Sequence, residues 1–180
     1  MKKIVKSFLK EIVPIILGIL IALYINNWNE SSKDEKYLKK MLSSLNKELT
    51  ETNDEINEKI PFQNTLIDTL QFYKSNDEIS IFDIMMKVNG VQIASIKTSS
   101  WKAISSSKIE MMKYDKVSAL TKIEEQKELL LSKTQLLMNF IYPNVKDSGI
   151  DSKELVILMM QDIIVTEKAI KEEIDGIIEN

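Results

Sequence analysis

EIVPIILGILIALYINNWNE, residues 11–30, decides the architecture of this 180-residue chain. Its uncharged apolar centre, 12–25, holds 14 residues, a length found in buried core helices and signal-peptide cores as well as in short membrane spans, which want ~20 residues. The flanks decide between them. Ahead of the run, Phe8 and Leu9 extend the apolar surface, and Lys2, Lys3, Lys6 and Lys10 can lay their stems along lipid while their ammonium groups reach headgroups. Behind it, Tyr24 and Trp28 carry the amphipathic rings that favour a membrane interface. From residue 8 to residue 28 a helix covers about 31 Å, enough for the ~30 Å hydrocarbon layer. The sequence therefore predicts a basic tail at 1–10, a transmembrane helix at 11–29 and a helical extramembrane domain at 30–180. No small-x-small cleavage site follows the core in LYINNWNESS, so the segment reads as an uncleaved signal anchor.

Projected at about 100° per residue, Glu11, Ile15, Gly18, Ala22, Asn26 and Asn29 fall along one stripe, and Ile16, Leu17, Leu20, Leu23 and Tyr24 fall on the lipid-suited surfaces opposite. Small residues four apart let two backbones approach, and polar groups in the same line can bond across helices. Glu11, Gly18, Ala22, Asn26 and Asn29 are thus the expected helix-association or pore face, with Lys10, Tyr24 and Trp28 as interface anchors. The plainer alternative leaves Glu11 and the asparagines wet at the two interfaces. An ionisable group at a membrane segment can mark an ion path, although edge placement beside Lys10 also accounts for Glu11.

Composition narrows the rest. Hydrophobic residues make up 44% and charged residues 28%, ordinary values for a folded chain that argue against disorder. Four Gly and three Pro are too few for a strand-and-turn architecture, and the abundance of Leu, Ile, Lys, Glu and Met reads as all-α. Without His the commonest general base and metal ligand are absent, and without Cys so are thiolate chemistry and disulfides. All 24 basic residues are Lys, so the guanidinium fork suited to phosphate and base recognition is missing as well. The expectation is a non-enzyme with no cofactor, no metal and no nucleic-acid partner. The stated net charge is −3, with the tail basic and the body acidic. That polarity suits a cytoplasmic N-terminus and an external C-terminal domain, although Lys33, Lys36, Lys39 and Lys40 lie close to the far end of the span.

Beyond the span, Leu38, Met41, Leu42, Leu45, Leu49, Thr52, Ile56 and Ile60 recur every three or four residues, which predicts an amphipathic helix ended by Pro61. The link 29–34 holds no Gly or Pro, so a continuous rod from the membrane to Ile60 is expected, with a short interfacial break as the alternative. Phe62, Leu66, Leu70 and Tyr73 predict a second helix turning back antiparallel. A short helix over 81–88 should stop at Asn89 and Gly90, and 91–99 should be a loop and helix entry, with an extended stretch as the alternative that its brief alternation offers. Trp101 and Ile104 are core candidates, Ser105 to Lys108 a turn, and Asp115 the cap of a helix carrying Val117, Leu120, Ile123, Leu130, Leu137 and Ile141 up to Pro143. Asp151 or Ser152 should cap a last helix, apolar on nearly all sides over 155–165 and narrowing to Ile170, Ile174 and Ile177.

Candidate chemistry reads mostly as structure. Ser105, Ser106, Ser107 and Lys108 could form a Ser-Lys nucleophile site, but no oxyanion-hole motif accompanies them and a solvated turn explains them. Glu124 with Glu125 and Glu172 with Glu173 are sequence neighbours that diverge on a helix, so solvated faces are expected. The paired methionines at 85–86, 111–112 and 159–160 could line an adaptable groove, with core filling the simpler use.

EIVPIILGILIALYINNWNE followed by KYLKKMLSSLNKEL resembles the opening of an uncharacterised family of small single-pass membrane proteins from Gram-negative bacteria. The matching elements are Glu11, the Gly-Ile-Leu-Ile-Ala-Leu run starting at Gly18, and Ile-Asn-Asn-Trp-Asn-Glu starting at Ile25. TSSWKAISSSKIEMMKYDKVSAL is similar to that family's aromatic-x-x-Leu-Ile-Ser-Ser-Gly-Lys-Leu segment, with Ser107 standing where Gly is usual. The resemblance implies an envelope protein with a helical domain and supplies no activity. The expected function is a membrane-anchored protein of the bacterial inner membrane, its N-terminus cytoplasmic and its C-terminal domain periplasmic. It would self-associate as a homo-oligomer or bind a partner membrane protein through its transmembrane face and helical domain. An ion-conducting oligomer with Glu11 at the pore mouth is the alternative, and a ligand-sensing bundle is weakened by the lack of a second span.

Overall fold

The computed structural model describes residues 2–178, with side chains from Ile12 onward. Five α-helices and no strand occur among the described residues. The first, α1 (Lys2–Phe72), runs unbroken for 71 residues, about 107 Å at the α-helical rise. The link at 29–34 is helical, so the rod is continuous from the apolar segment into the body.

Two expectations fail at Pro61. It lies inside α1 and does not end it, and the residues from Phe62 to Leu70 continue the same helix rather than turning back. The reason is positional. Pro61 is solvent-exposed, so the Asn57 carbonyl that loses its helical donor can be met by water. The buried face keeps its phase across it, running through Leu45, Leu49, Thr52, Ile56, Gln63, Leu66 and Leu70. One uninterrupted stripe outweighs one missing hydrogen bond.

After a turn at 73–80, α2 (Ile81–Lys87) opens with a capping box. Asp83 N donates to Ser80 Oγ at 3.2 Å, and Ser80 N donates back to Asp83 Oδ2 at 3.0 Å. The helix ends as expected at Asn89 and Gly90, both left-handed at φ 60° and 80°, and Gly90 N donates to Met85 O at 2.8 Å. A Cβ on Gly90 would meet nothing within 4 Å. Gly90→Ala is therefore expected to cost only the backbone term, about 1 kcal/mol, read as a small fall in the thermal midpoint of the detergent-solubilised chain.

Residues 91–98 form an irregular segment leading into α3 (Ser99–Ser105), which buries Trp101 and Ile104 as expected. A 3-10 turn at Ile109–Met111 then leads to α4 (Tyr114–Asn144). Asp115 is not its cap: the helix starts one residue earlier, and Asp115 sits in the first turn, where its charge suits the helix dipole. Pro143 falls within the last turn rather than ending the helix. The last helix, α5 (Ile150–Ile178), also starts earlier than either predicted cap. Its entry is tied by Asp147, which accepts from Gly149 N and from the Ser152 hydroxyl. Those bonds hold the Asp147 carboxyl below its ordinary range.

The central helix is α5, antiparallel to both α1 and α4. Lys153 meets the end of α1 at Tyr73 and Asn76, Glu167 meets Gln63, and Asp175 meets Asn53. Lys133 meets Asp162 and Lys122 meets Glu173 across α4 and α5. Val156, Met160, Ile163, Ile170 and Ile174 are buried, as are Leu120, Ile123, Leu130, Leu137 and Ile141 of α4, each worth roughly 1.5–3 kcal/mol of transfer free energy. The predicted all-round burial of 155–165 holds only in part, because Leu158 and Val165 stand exposed.

Candidate functional site

Among the described residues nothing covers the apolar part of α1. Val13, Ile15, Ile16, Leu17, Ile19, Leu20, Ile21, Leu23 and Ile25 are all exposed, and Tyr24 and Trp28 more so, at 73% and 68%. A helix with so many bare aliphatic side chains in series needs a non-aqueous neighbour. It is long and apolar enough to cross a membrane. Gly18, Ala22, Asn26 and Asn29 lie exposed along it, and among the described residues neither asparagine has a hydrogen-bond partner within the chain. The side chains of Glu11 and Lys10 lie outside the described residues, so the pore-mouth reading of Glu11 gains nothing here.

The body begins just past this segment. Lys108 Nζ reaches Asp34 Oδ2 at 2.6 Å, closing the turn after α3 onto α1. Ser105 Oγ donates to Lys102 O, and Ser106 and Ser107 Oγ both donate to Ala103 O, so the hydroxyls cap the helix end. Hydrogen bonding to Asp34 pushes the Lys108 ammonium above its ordinary value, the wrong direction for a general base. Glu124 departs from the solvated face predicted for it. It is partly buried between Lys102 at 3.1 Å and Lys127 at 3.9 Å. Burial pushes its carboxyl up, but the Thr98 hydroxyl and the two ammonium groups outweigh it and hold the group below the usual carboxylate range.

The most organised polar feature is a clasp that the sequence reading missed. Residues 92–100 run along α1 with no sheet partner, and side chains do the work of one. Glu48 accepts from Ser100 N at 2.9 Å and from its hydroxyl at 3.0 Å. Thr52 Oγ1 accepts from Lys97 N at 3.1 Å, Glu55 Oε1 from Ser95 N at 3.1 Å, and Gln63 Nε2 donates to Gln92 O at 2.9 Å. Glu51 adds an ion pair to Lys97 at 2.8 Å, which holds its carboxyl low. From the other side Glu167 of α5 accepts from Ala94 N at 2.8 Å and from Gln63 Nε2 at 3.0 Å. Burial dominates at Glu167 and pushes its carboxyl above the ordinary range. The signal was present in the spacing: Glu48, Thr52, Glu55 and Gln63 lie on or beside the buried stripe of α1.

Below the end of α5 lies a cleft of about 760 Å³, lined by Leu42, Met111, Met112, Lys116, Ala119 and Ile177 among others. The methionines divide accordingly: Met160 fills the core, Met111 and Met112 line this cleft, and Met86 is exposed. Among the described residues no cluster of acidic side chains could hold a metal ion.

Residues 11–108 match the sequence profile of a family of unknown function, DUF6090. The chain belongs to that family. No curated protein and no solved structure matches it. The matched region runs from the start of the apolar segment to Lys108, the residue that returns to Asp34, and so covers most of the rod and the segment folded back along it. Helices α4 and α5 lie outside that match.

Proposed function

We propose that this chain is a non-enzymatic envelope protein of the bacterial inner membrane, held by an uncleaved signal anchor with its N-terminus cytoplasmic and its helical domain periplasmic. It self-associates, or binds a partner membrane protein, through the face of Gly18, Ala22, Asn26 and Asn29 together with the helical domain. The observation that carries this reading is the bareness of α1 between Val13 and Asn29, where aliphatic side chains, a glycine and the side chains of Asn26 and Asn29 have no covering among the described residues. Exposed Leu158 and Val165, two turns apart on α5, extend the available surface to the body.

A Cβ on Gly18 meets nothing within 4 Å, so Gly18→Leu leaves the protomer intact and tests only what comes from outside it. Cross-linking in native membranes is expected to trap an oligomer for the wild type and for Leu20→Ala on the lipid-suited side. The yield should fall about tenfold for Gly18→Leu, the loss of roughly 1–2 kcal/mol of helix–helix association. Monomer alone in the wild type, or an oligomer indifferent to Gly18→Leu, overturns the association face.

A further inference from the structure

We infer that the turn bearing Ile109, Met111 and Tyr114 rests on the lipid headgroup layer, giving the body a second contact with the membrane beside the span. This rests on the membrane-anchored reading above.

Three observations converge on it. The first is height. The 2.6 Å pair between Lys108 and Asp34 fixes the turn six residues past Trp28, about 9 Å along the helix axis. The headgroup layer is itself roughly 5–8 Å deep, so side chains on the turn span the difference. The second is that, among the described residues, the end of α5 stops higher: Ile177 shares the cleft with Leu42, eight residues or about 12 Å farther up α1 than Asp34. The third is chemistry. Ile109, Met111 and Tyr114 are exposed at 39%, 37% and 81%, and they alternate with exposed Glu110 and Lys113 beside the exposed hydroxyls of Ser106 and Ser107. Apolar side chains and a tyrosine interleaved with both signs of charge suit the zwitterionic boundary between water and acyl chains.

A rod tethered only by its span could tilt freely. With the turn seated on headgroups, the body takes one inclination to the membrane, and the cleft beside Met111 and Met112 opens just above the lipid surface.

The chain has no cysteine, so single cysteines can be placed at will and labelled with an environment-sensitive fluorophore. In the full-length chain reconstituted in phosphatidylcholine vesicles, the informative positions are Ile109→Cys on the turn, Leu20→Cys in the span and Met86→Cys on α2, exposed and at the far end of the body. A nitroxide on the lipid headgroup is expected to remove most of the signal at position 109 and none at 86, while a nitroxide on the acyl chain quenches position 20. Iodide in the aqueous phase should quench 109 severalfold less than 86. If 109 behaves like 86 while 20 is quenched, the turn does not touch lipid and the anchor stands. If 20 is not quenched, the anchor reading fails and the inference falls with it. Label-to-label quenching at 109 that rises with protein density, without headgroup quenching, assigns the turn to a contact between copies and overturns the lipid contact.

Discussion

Glu167→Leu is expected to destabilise the detergent-solubilised chain by about 2–4 kcal/mol, the largest loss from a single substitution in the clasp. Glu167 is fully buried, and its Oε1 is the acceptor for both Ala94 N and Gln63 Nε2. Leucine fills similar space but leaves two donors in the interior unpaired, each costing roughly 1–3 kcal/mol. The local signature is sharper than the global one. Amide exchange at Ala94 should approach that of a surface loop, while Ile163 and Ile174 on α5 keep their protection. Adding Gln63→Leu should not restore stability, because Ala94 N and Gln92 O would remain without their partners. Recovery in the double variant would show that the polar pair is replaceable and that the clasp does not depend on it.

The same carboxyl sets a pH dependence. Glu167 Oε2 and Gln63 Oε1 are both buried without a hydrogen-bond partner, so an ionised Glu167 leaves an acceptor unmet in the interior. Burial raises the Glu167 carboxyl above its ordinary value of 4.5, and the neighbouring Glu55 pushes the same way. The folded form therefore holds its proton to higher pH than the unfolded chain. The contribution is full below the ordinary carboxylate value and is lost as pH rises through the raised one. Glu167→Gln keeps an acceptor for Ala94 N and adds a permanent donor. Its thermal midpoint should move ahead of the wild type as pH rises through that window and match it most closely at acid pH. A difference between the two proteins that is constant with pH would place the raised titration elsewhere.

What the sequence made legible was the apolar geometry. The bare run at 12–25, the stripe from Leu45 to Ile56 and the alternation of Leu120, Ile123, Leu130, Leu137 and Ile141 each translate directly into a face of a helix, because burial is periodic wherever packing is one-sided. Pro61 was misread because a local breaker was weighed by itself. Its exposure and the unbroken phase of Gln63, Leu66 and Leu70 beyond it decide the outcome, and phase continuity was visible in the sequence. The clasp was missed for a related reason. Thr52 and Gln63 keep the period of the α1 core, and Lys153 and Glu167 keep the period of Val156, Met160, Ile163, Ile170 and Ile174 on α5. A polar residue in phase with a core stripe signals a buried partner. Which partner it is depends on tertiary contacts 29 to 104 residues apart, such as Ala94 with Glu167, and periodicity carries no information about those. Along α1, Gly18, Ala22, Asn26 and Asn29 lie exposed.

Lys153→Met is the second large effect, expected to cost about 1–3 kcal/mol and to loosen the end of the bundle farthest from the apolar segment. Lys153 is fully buried, and its ammonium donates to Tyr73 O at 2.9 Å and Asn76 O at 2.7 Å. It thus ties the start of α5 to the turn that follows α1, at the carboxyl end of that helix, where the dipole favours a cation. Two terms oppose each other. Methionine removes the cost of burying a charge, but it takes a charge-assisted donor from two carbonyls. Those retain only the backbone bonds from Asn76 N at 3.1 Å and Ile79 N at 3.4 Å. The second term should win because both ammonium bonds are short and charge-assisted. Lys153→Arg should not rescue the loss, since a planar guanidinium cannot occupy a fully enclosed ammonium site without displacing its neighbours. Denaturant titration with amide exchange over residues 73–80 separates the cases. A Met variant as stable as wild type, with the turn still protected, would mean that helix packing alone holds α5 to the tip of the rod.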